Sequence, residues 1–175
     1  NAESPLSIQE HAEQVRDLVR QAVEEQMIAD VPVGAFLSGG IDSTIIVGLM
    51  REASSHPVKT FSIGFDDPAF DESGYAALAA KHLGTDHHPF VMAPRAWETV
   101  PALARQFDEP FADSSALPTW EVARQTREHV TVALTGDAGD ELFGGYDRYR
   151  ALAIAARMDR LPASTRGWLS GPVAR

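Results

Sequence analysis

Short apolar runs alternate with longer amphipathic segments along this chain, and the alternation predicts strands and helices in turn. The apolar and β-branched runs that predict strands are Val33–Leu37, Val58–Phe65, His87–Val91 and Val130–Leu134. Segments with helical spacing lie before and between them, at Ser7–Met27, Thr44–Glu52, Asp71–Leu83, Pro94–Gln106 and Leu117–His129. Such alternation favours an α/β fold, a doubly wound parallel sheet with flanking helices.

The first predicted helix carries its own start signal. Ser7 and Glu10 have the S-x-x-E spacing of a capping box, in which each side chain satisfies a backbone N–H group at the helix start. Apolar residues then recur on one side at helical spacing, and they are Ile8, Val15, Leu18, Val19, Ala22 and Val23. We expect this side of the helix to pack in the core.

The composition is that of an ordinary globular domain. Of the 175 residues, 44% are hydrophobic and 23% are charged, and we expect one domain over residues 3–175. No apolar run approaches the roughly 20 residues that cross a bilayer, so no membrane partner is expected. The lack of cysteine excludes disulfides within this sequence and agrees with a cytoplasmic location. Prolines and glycines interrupt the last segment, Leu161–Arg175, and we expect the domain to be incomplete at that end.

The net charge of the chain argues against nucleic acid as a partner. The formal net charge is −10, and the only lysines are Lys59 and Lys81. Proteins that act on nucleic acid usually present a basic face to the phosphate backbone. The sequence therefore predicts a small-molecule substrate and no nucleic-acid partner.

A glycine-rich loop joins the first predicted strand to the next helix, at Leu37–Ser43 (LSGGIDS). A strand–glycine turn–helix junction presents unpaired N–H groups and the positive end of a helix dipole, which favour phosphate. Ser38 and Ser43 add hydroxyl donors, and Asp42 suggests a Mg²⁺ ion between its carboxylate and a nucleotide. An ordinary strand-to-helix turn is the alternative for a Gly-Gly pair, because glycine is the default residue of such turns.

A second glycine-acid loop follows the last predicted strand, at Thr135–Tyr146 (TGDAGDELFGGY). It places three carboxylates close together, those of Asp137, Asp140 and Glu141. Mg²⁺ usually takes one or two protein carboxylates, so Asp42 with Asp140 would suit it. A solvated turn before an acid-rich helix start is the alternative. Because both loops follow strands of one parallel sheet, we expect them at the same edge.

These segments carry a family resemblance. SGGIDS resembles the PP-loop of ATP pyrophosphatases, which implies an adenine nucleotide alpha hydrolase-like fold. The order SGGIDS, FSIGF, FDEPFADSSALPTW, TGDAGDELFGGY is similar to the synthetase half of glutamine-dependent asparagine synthetases. β-Lactam synthetases share that architecture.

The resemblance implies a role for each matching position. Leu37 and Ile63 would flank the adenine, and Thr135 with Gly136 would contact AMP. The residues that would hold the pyrophosphate of ATP are Ser38, Gly39, Gly40, Asp42 and Ser43. Asp42 and Asp140 would bind Mg²⁺, and Asp137 would lie near the reacting carboxylate. The residues that would line the acceptor side are Asp108, Glu109, Asp113 and Ser114.

The implied chemistry is adenylation of the β-carboxylate of aspartate by ATP, followed by amidation with ammonia to asparagine. Three departures bear on it. Thr135 and Asp137 stand where the family usually has Ser and Glu, and the segment Asp147–Arg157 lacks the family's catalytic lysine. Arg148 or Arg150 could supply charge there, or the lysine lies beyond Arg175.

The glutaminase half of the family, with its N-terminal cysteine, has no counterpart in this sequence, so ammonia would come from elsewhere. The alternatives are a related amidotransferase or β-lactam-synthetase-like enzyme with another carboxylate acceptor, and a nucleotide-binding domain without catalytic activity. The oligomeric state stays open.

Overall fold

The computed structural model of the chain describes residues 6–92, 96–109 and 111–159. The strands are β1 (Val33–Phe36), β2 (Lys59–Gly64), β3 (Asp86–Val91) and β4 (Val132–Leu134). The helices are α1 (Ile8–Gln26), α2 (Ile41–Ala53), α3 (Ser73–Leu83), α4 (Val100–Phe107), α5 (Ala116–Thr126), α6 (Gly139–Phe143) and α7 (Asp147–Met158), and a 3₁₀ turn at Ala96–Thr99 precedes α4.

Each element predicted from the sequence is present among the described residues, with ends that differ by a few positions. The start of the helix predicted from Pro94 and the whole of Leu161–Arg175 lie outside the described residues. The chain divides into two compact units, Asn1–Gly136 and Asp137–Arg175. The single domain expected over residues 3–175 stays a prediction.

The first unit is built on a parallel sheet with the strand order β3-β2-β1-β4. The predicted parallel α/β sheet is therefore confirmed. The chain runs outward from β1 through β2 to β3 and then returns to the other side of β1 as β4. The carboxyl ends of β1 and β4 consequently meet at the point where the strand order reverses, where ligands bind in sheets of this kind.

Helices cover both faces of this sheet. Because successive strand residues point to opposite faces, Ala35 and Leu37 pack with helix residues such as Val47 in one buried cluster. Phe36, on the opposite face, packs against a second cluster formed by Phe61, Val122 and Val130. The first cluster receives residues of α1, α2 and α3, and the second receives Val122 of α5.

The capping box at the start of α1 is confirmed, but the helix packs less than expected. Ser7 Oγ accepts a hydrogen bond from Glu10 N (3.3 Å), and Ser7 N donates to Glu10 Oε2 (2.7 Å). Val23 is 3% exposed, whereas Ile8 is 89% and Leu18 66% exposed. The expectation of a fully buried apolar side was wrong.

The reason is that α1 reaches the first buried cluster only through its carboxyl half and the residue that follows. Val19, Val23 and Met27 lie in or against that cluster. The helix is also tied to α2 by Arg20, whose guanidinium lies 2.9 Å from Glu52 Oε2. Helical periodicity fixes which residues share a side, but tertiary contacts decide how much of that side is buried.

A polar network lies between β2 and β3. Thr60 Oγ1 is 2.8 Å from Thr85 Oγ1 and 3.0 Å from His87 Nδ1, and Ser62 Oγ is 3.2 Å from His87 Nε2. Thr60 and Ser62 are buried and His87 is half-buried. Burial, with a smaller effect of the charge on His88, lowers the pKa of His87 below its ordinary value of 6.5.

We therefore expect the protein to lose stability as the pH falls below the unfolded value of His87. The unfolded chain takes up a proton at His87 near pH 6.5, whereas the folded protein does so only at lower pH. The contribution of His87 to the free energy of unfolding is largest above pH 6.5 and falls as the pH decreases. It stops changing once His87 is protonated in the folded protein as well. The melting temperature of His87→Gln, measured from about pH 7 to pH 5, should depend less on pH than that of the wild type. Parallel curves for the two proteins would contradict this role.

Among the described residues, no helix combines the length and apolarity that crossing a membrane requires.

Candidate functional site

The helix after the loop between β1 and α2 begins without a side-chain cap. Gly40 is the N-cap of α2 and provides no side-chain cap to the first turn, which begins at Ile41. The first N–H groups of a helix have no partner within the helix, so such an end can bind an anion. The strand–loop–helix junction predicted from SGGIDS is confirmed as a structure.

Gly39 lets this loop lie directly against α3. Its φ is +84°, a left-handed conformation that L side chains rarely adopt. A β-carbon at Gly39 would overlap the carbonyl carbon of Tyr75 and lie 2.6 Å from Ala76 N. Nothing local in the sequence marked Tyr75, because its contact with Gly39 depends on how α3 folds back onto the loop.

The two hydroxyls of the loop bind each other. Ser38 Oγ lies 3.0 Å from Ser43 Oγ, and Ser43 Oγ also accepts from Ser38 N (3.3 Å). Gly40 N donates to Ser38 Oγ (3.2 Å), and Ser43 Oγ lies 3.3 Å from Gly40 O. Ser43 is buried and Ser38 is exposed. Ser43 therefore fixes the shape of the loop, and the contacts of Ser38 and Ser43 with phosphate stay predictions.

The side chain of Leu37 is 1% exposed and belongs to the first buried cluster. The expected place of Leu37 beside the adenine stays a prediction. Leu37 N donates to Phe61 O (2.8 Å), which extends the β1–β2 ladder by one bond. Any contact from Leu37 to a nucleotide has to come from its main chain. Ile63, the other residue expected beside the adenine, is half-buried near the end of β2.

Thr135 and Gly136 follow β4 and reach the start of α2. A β-carbon at Gly136 would lie 2.6 Å from Ser43 N and 2.8 Å from the carbonyl carbon of Asp42. Asp42 lies in the first turn of α2 and is half-buried. The structure thus brings the loops after β1 and β4 together at the reversal of strand order, with Asp42 beside them.

Gly136→Ala should separate these two loops. The added methyl group would meet backbone atoms, which cannot rotate away, and overpacking of this kind costs about 1–3 kcal/mol. We expect a lower melting temperature and, by nucleotide titration, a markedly weaker affinity for ATP. Gly74→Ala is the matched control, because a β-carbon there meets nothing within 4 Å. Equal ATP affinity in the two variants would contradict the close contact.

The loop after β2 is anchored by Asp71, a residue that we did not single out from the sequence. Asp71 accepts from Ser73 Oγ (2.8 Å), Ser73 N (3.1 Å) and Phe65 N (3.3 Å). These bonds, those from Ser73 first, lower the pKa of the Asp71 carboxyl below its usual range. The D-x-S spacing at the start of α3 is the local signal that would have identified it.

The segment expected to line the acceptor side is exposed. Asp108 ends α4 in a left-handed conformation (φ +57°), and the rings of Phe107 and Phe111 stack 4.3 Å apart. Asp113 Oδ1 accepts from Ser115 N and Ser115 Oγ, both at 2.8 Å, which holds the turn into α5.

Four residues of this segment were expected to bind the acceptor, and they are Asp108, Glu109, Asp113 and Ser114. All four are exposed. Within the described ranges, no hydrogen bond joins them to residues 37–43. Their role in substrate binding therefore stays a prediction.

The second unit carries the other two carboxylates. Asp137 is exposed, and Asp140 is half-buried in the first turn of α6. Gly144 ends α6 in a left-handed conformation (φ +70°), and Gly145 N donates to Asp140 O (3.1 Å). A β-carbon at Gly145 would overlap Asp140 Oδ1, so the missing side chain leaves the room that this carboxylate fills.

The arginines considered as replacements for the missing lysine are engaged within the second unit. The Arg148 guanidinium lies 4.4 Å above the centre of the Tyr146 ring. Arg150 is 4.0 Å from Asp147 Oδ1 on an exposed surface. Tyr146 donates to Glu141 Oε1 (2.7 Å), and this bond lowers the pKa of Glu141.

The Mg²⁺ site expected at Asp42 and Asp140 stays a prediction. In the part of the chain that the structure describes, no group of three or more His, Asp or Glu side chains is arranged to hold a metal. Mg²⁺ needs only one or two carboxylates, because phosphate and water complete its shell. Asp42 lies in the first turn of α2, in the first unit, and Asp140 lies in the first turn of α6, in the second unit.

Comparison with known proteins identifies a family whose sequence pattern this chain matches. The family model described as asparagine synthase matches residues 14–174. Asparagine synthetase (glutamine-hydrolyzing) 1 of Bacillus subtilis (strain 168) is 42% identical over 158 residues, 89% of this chain. The chain spans only 25% of the length of that relative.

Solved structures agree on the fold. The glutamine-dependent NAD⁺ synthetase of Acinetobacter baumannii, in complex with ADP, superposes with a TM-score of 0.56 at 19% identity, over 83% of this chain and 29% of that one. The NMN synthetase of Francisella tularensis gives 0.53 at 14% identity, over 77% of this chain and 58% of that one. The chain therefore shares its fold with these two synthetases, and with the family match over most of its length, the chain belongs to the asparagine synthase family.

Proposed function

We propose that the protein catalyses ATP-dependent, AMP-forming amide synthesis, in which the β-carboxylate of aspartate is activated and then amidated to asparagine. One observation carries this proposal: the phosphate-binding junction between β1 and α2 meets the loop of Thr135 and Gly136 where the strand order reverses. Membership of the asparagine synthase family supports the same reaction.

The PP-loop would hold the triphosphate through backbone groups. Ser38 is exposed and fixed by Ser43, so its hydroxyl is already oriented when ATP arrives. Gly39 and Gly40 would contact the phosphates through their backbone N–H groups, a role that the sequence resemblance implies. Donors fixed before the reaction stabilise developing charge without reorganising, which is the largest contribution in many enzymes.

ATP would lie across the carboxyl ends of the strands. Its adenine would lie beside Ile63 and the main chain of Leu37, and its AMP portion would contact Thr135 and Gly136. Asp42 and Asp140 would hold Mg²⁺, which supplies charge neutralisation at the phosphates when it is bound. The pairing of Asp42 with Asp140 rests on the sequence resemblance.

In the first step, an oxygen of the aspartate β-carboxylate would attack the α-phosphorus of ATP and form a mixed carboxylic–phosphoric anhydride, while the bond between the α-phosphorus and the oxygen that bridges to the β-phosphate breaks. Pyrophosphate leaves, and β-aspartyl-AMP remains. Ammonia then attacks the acyl carbon, AMP departs, and a proton is lost to give asparagine. Asp137 would stay near the reacting carboxylate, with the acceptor held by the segment from Asp108 to Ser114.

The partners would therefore be ATP, aspartate or a similar carboxylate, and ammonia delivered by a glutaminase domain, in the cytoplasm. No nucleic-acid partner is expected at a net charge of −10. A related ligase with another acceptor is the second candidate. The segment Phe107–Trp120, expected to line the acceptor side, is where such a ligase would differ.

Product analysis tests the proposal. The protein is incubated with ATP, Mg²⁺, aspartate and ammonium, and phosphorus NMR separates AMP and pyrophosphate from ADP and phosphate. We expect AMP and asparagine in equal amounts, only when aspartate is present. ADP as the product would exclude adenylation, and AMP formed with a different carboxylate would favour the second candidate.

A further inference from the structure

The turn after α6 folds back over Asp140. Gly144, in a left-handed conformation, reverses the chain, and the Gly145 amide then bonds to the carbonyl oxygen of Asp140 (3.1 Å). The side-chain carboxylate of Asp140 occupies the space that a β-carbon of Gly145 would need. The position of the turn and the position of the carboxylate therefore depend on each other.

The side chains of Tyr146 and Glu141 form a hydrogen bond that links the end of this turn to α6. Tyr146, the residue after the two glycines, donates its hydroxyl to Glu141 Oε1 at 2.7 Å. Glu141 directly follows Asp140 on α6, so the bond joins the end of the turn to the helix that carries the carboxylate. The Arg148 guanidinium lies 4.4 Å above the Tyr146 ring and restrains that ring in place.

We propose that Tyr146 and Glu141 are positioning residues that keep the turn of Gly144 and Gly145 closed around Asp140, so that its carboxylate is preorganised for Mg²⁺. This inference rests on the proposed function, which makes Asp140 a ligand of Mg²⁺. Neither Tyr146 nor Glu141 contacts the metal or the substrate in this proposal. They act as outer partners that orient a ligand, a role whose loss typically weakens metal affinity by about 10- to 100-fold.

The hydroxyl of Tyr146 can be removed without removing the ring. Tyr146→Phe keeps the surface beneath Arg148 and deletes only the donor to Glu141. Glu141→Gln keeps a carbonyl oxygen that accepts the same bond, so it separates hydrogen bonding from charge. Tyr149→Phe is the matched control, because within the described chain the Tyr149 hydroxyl makes no hydrogen bond.

The first readout is hydrogen–deuterium exchange of the Gly145 amide, measured by NMR without nucleotide or metal. We expect exchange in Tyr146→Phe to be several-fold faster than in the wild type, with Glu141→Gln and Tyr149→Phe close to the wild type. Unchanged exchange in Tyr146→Phe would overturn the proposal, because the turn would then be closed without this bond.

The second readout is the Mg²⁺ concentration that half-maximally protects residues 137–146 from exchange in the presence of ATP, which requires no turnover. We expect it to rise about tenfold in Tyr146→Phe, and Asp140→Asn to show no Mg²⁺-dependent protection. Normal Mg²⁺ dependence in Tyr146→Phe, with its loss in Asp140→Asn, would overturn the positioning role alone. Normal dependence in Asp140→Asn would remove Asp140 from the metal site, and both proposals about it would fail.

Discussion

Under the proposed function, we expect Asp42→Asn to lower the rate of aspartate-dependent ATP cleavage by about 100- to 1,000-fold, the range typical for loss of one preorganised charge-stabilising group. Asp42 occupies the first turn of α2, beside the loop of Thr135 and Gly136. Asparagine keeps the size of the side chain and removes the negative charge that Mg²⁺ requires. The rate of AMP formation at saturating ATP, measured over a range of Mg²⁺ concentrations, checks this expectation.

The fold should survive this substitution. A carboxylate in the first turn of a helix contributes about 0.3–1 kcal/mol through the helix dipole, so the loss of stability is small. Asp30→Asn is the control, since it removes the same charge from an exposed loop of the same unit. If Asp42→Asn and Asp30→Asn cleave ATP equally fast, Asp42 is not a ligand of Mg²⁺ and the metal assignment fails.

Gly39→Ala has the largest expected effect on stability. An L residue in the left-handed region costs roughly 1–2 kcal/mol, and forced overlap in a packed region adds about 1–3 kcal/mol. Both apply at Gly39, whose φ is +84° and whose added methyl group would overlap the backbone of Tyr75 and Ala76. For a protein of this size, a loss of about 3 kcal/mol lowers the melting temperature by roughly 6–12 °C.

Thermal denaturation followed by circular dichroism measures this shift. Gly48→Ala, in the interior of the adjacent helix α2, is the control. A β-carbon there meets only Leu83 Cδ2 at an ordinary 3.8 Å, and alanine favours a helix over glycine by about 1 kcal/mol. A melting temperature for Gly39→Ala as high as that of Gly48→Ala would mean that the loop does not lie against α3.

Local signals predicted the elements of the fold well. The capping box at Ser7 and the glycine that ends α3 at Gly84 both involve neighbouring residues, so sequence spacing alone could identify them. The strands were found because β-branched and apolar runs alternate with helical segments. Their parallel pairing followed from the same alternation, since each strand is separated from the next by a helix long enough to cross over.

Tertiary contacts explain what the sequence did not predict. Leu37 directly precedes the glycine-rich loop in the sequence. Because side chains alternate along β1 and its continuation, the side chain of Leu37 points into the first buried cluster. Two glycine contacts depend on how the strands are ordered in the sheet. Gly39 contacts Tyr75, and Gly136 contacts Asp42. The sequence shows only that these two positions are glycine. The structure shows that backbone atoms of another segment occupy the space that a β-carbon would need there.

The candidate site was predicted in part. The residues of both glycine loops were identified, yet the pairing of Ser38 with Ser43 was not, because both hydroxyls were expected to face phosphate. In the structure one hydroxyl supports the other. This arrangement is typical of preorganised sites, where a supporting group fixes the group that meets the ligand.

Isotope exchange gives the most direct test of the proposed transfer of AMP from ATP to the β-carboxylate of aspartate. Labelled pyrophosphate is incubated with the protein, ATP and Mg²⁺, with and without aspartate, and the label in ATP is counted. We expect label in ATP only when aspartate is present, because reversal of the first step requires β-aspartyl-AMP. A protein that binds ATP but incorporates no label with aspartate present would not form β-aspartyl-AMP, and the proposed reaction would be wrong.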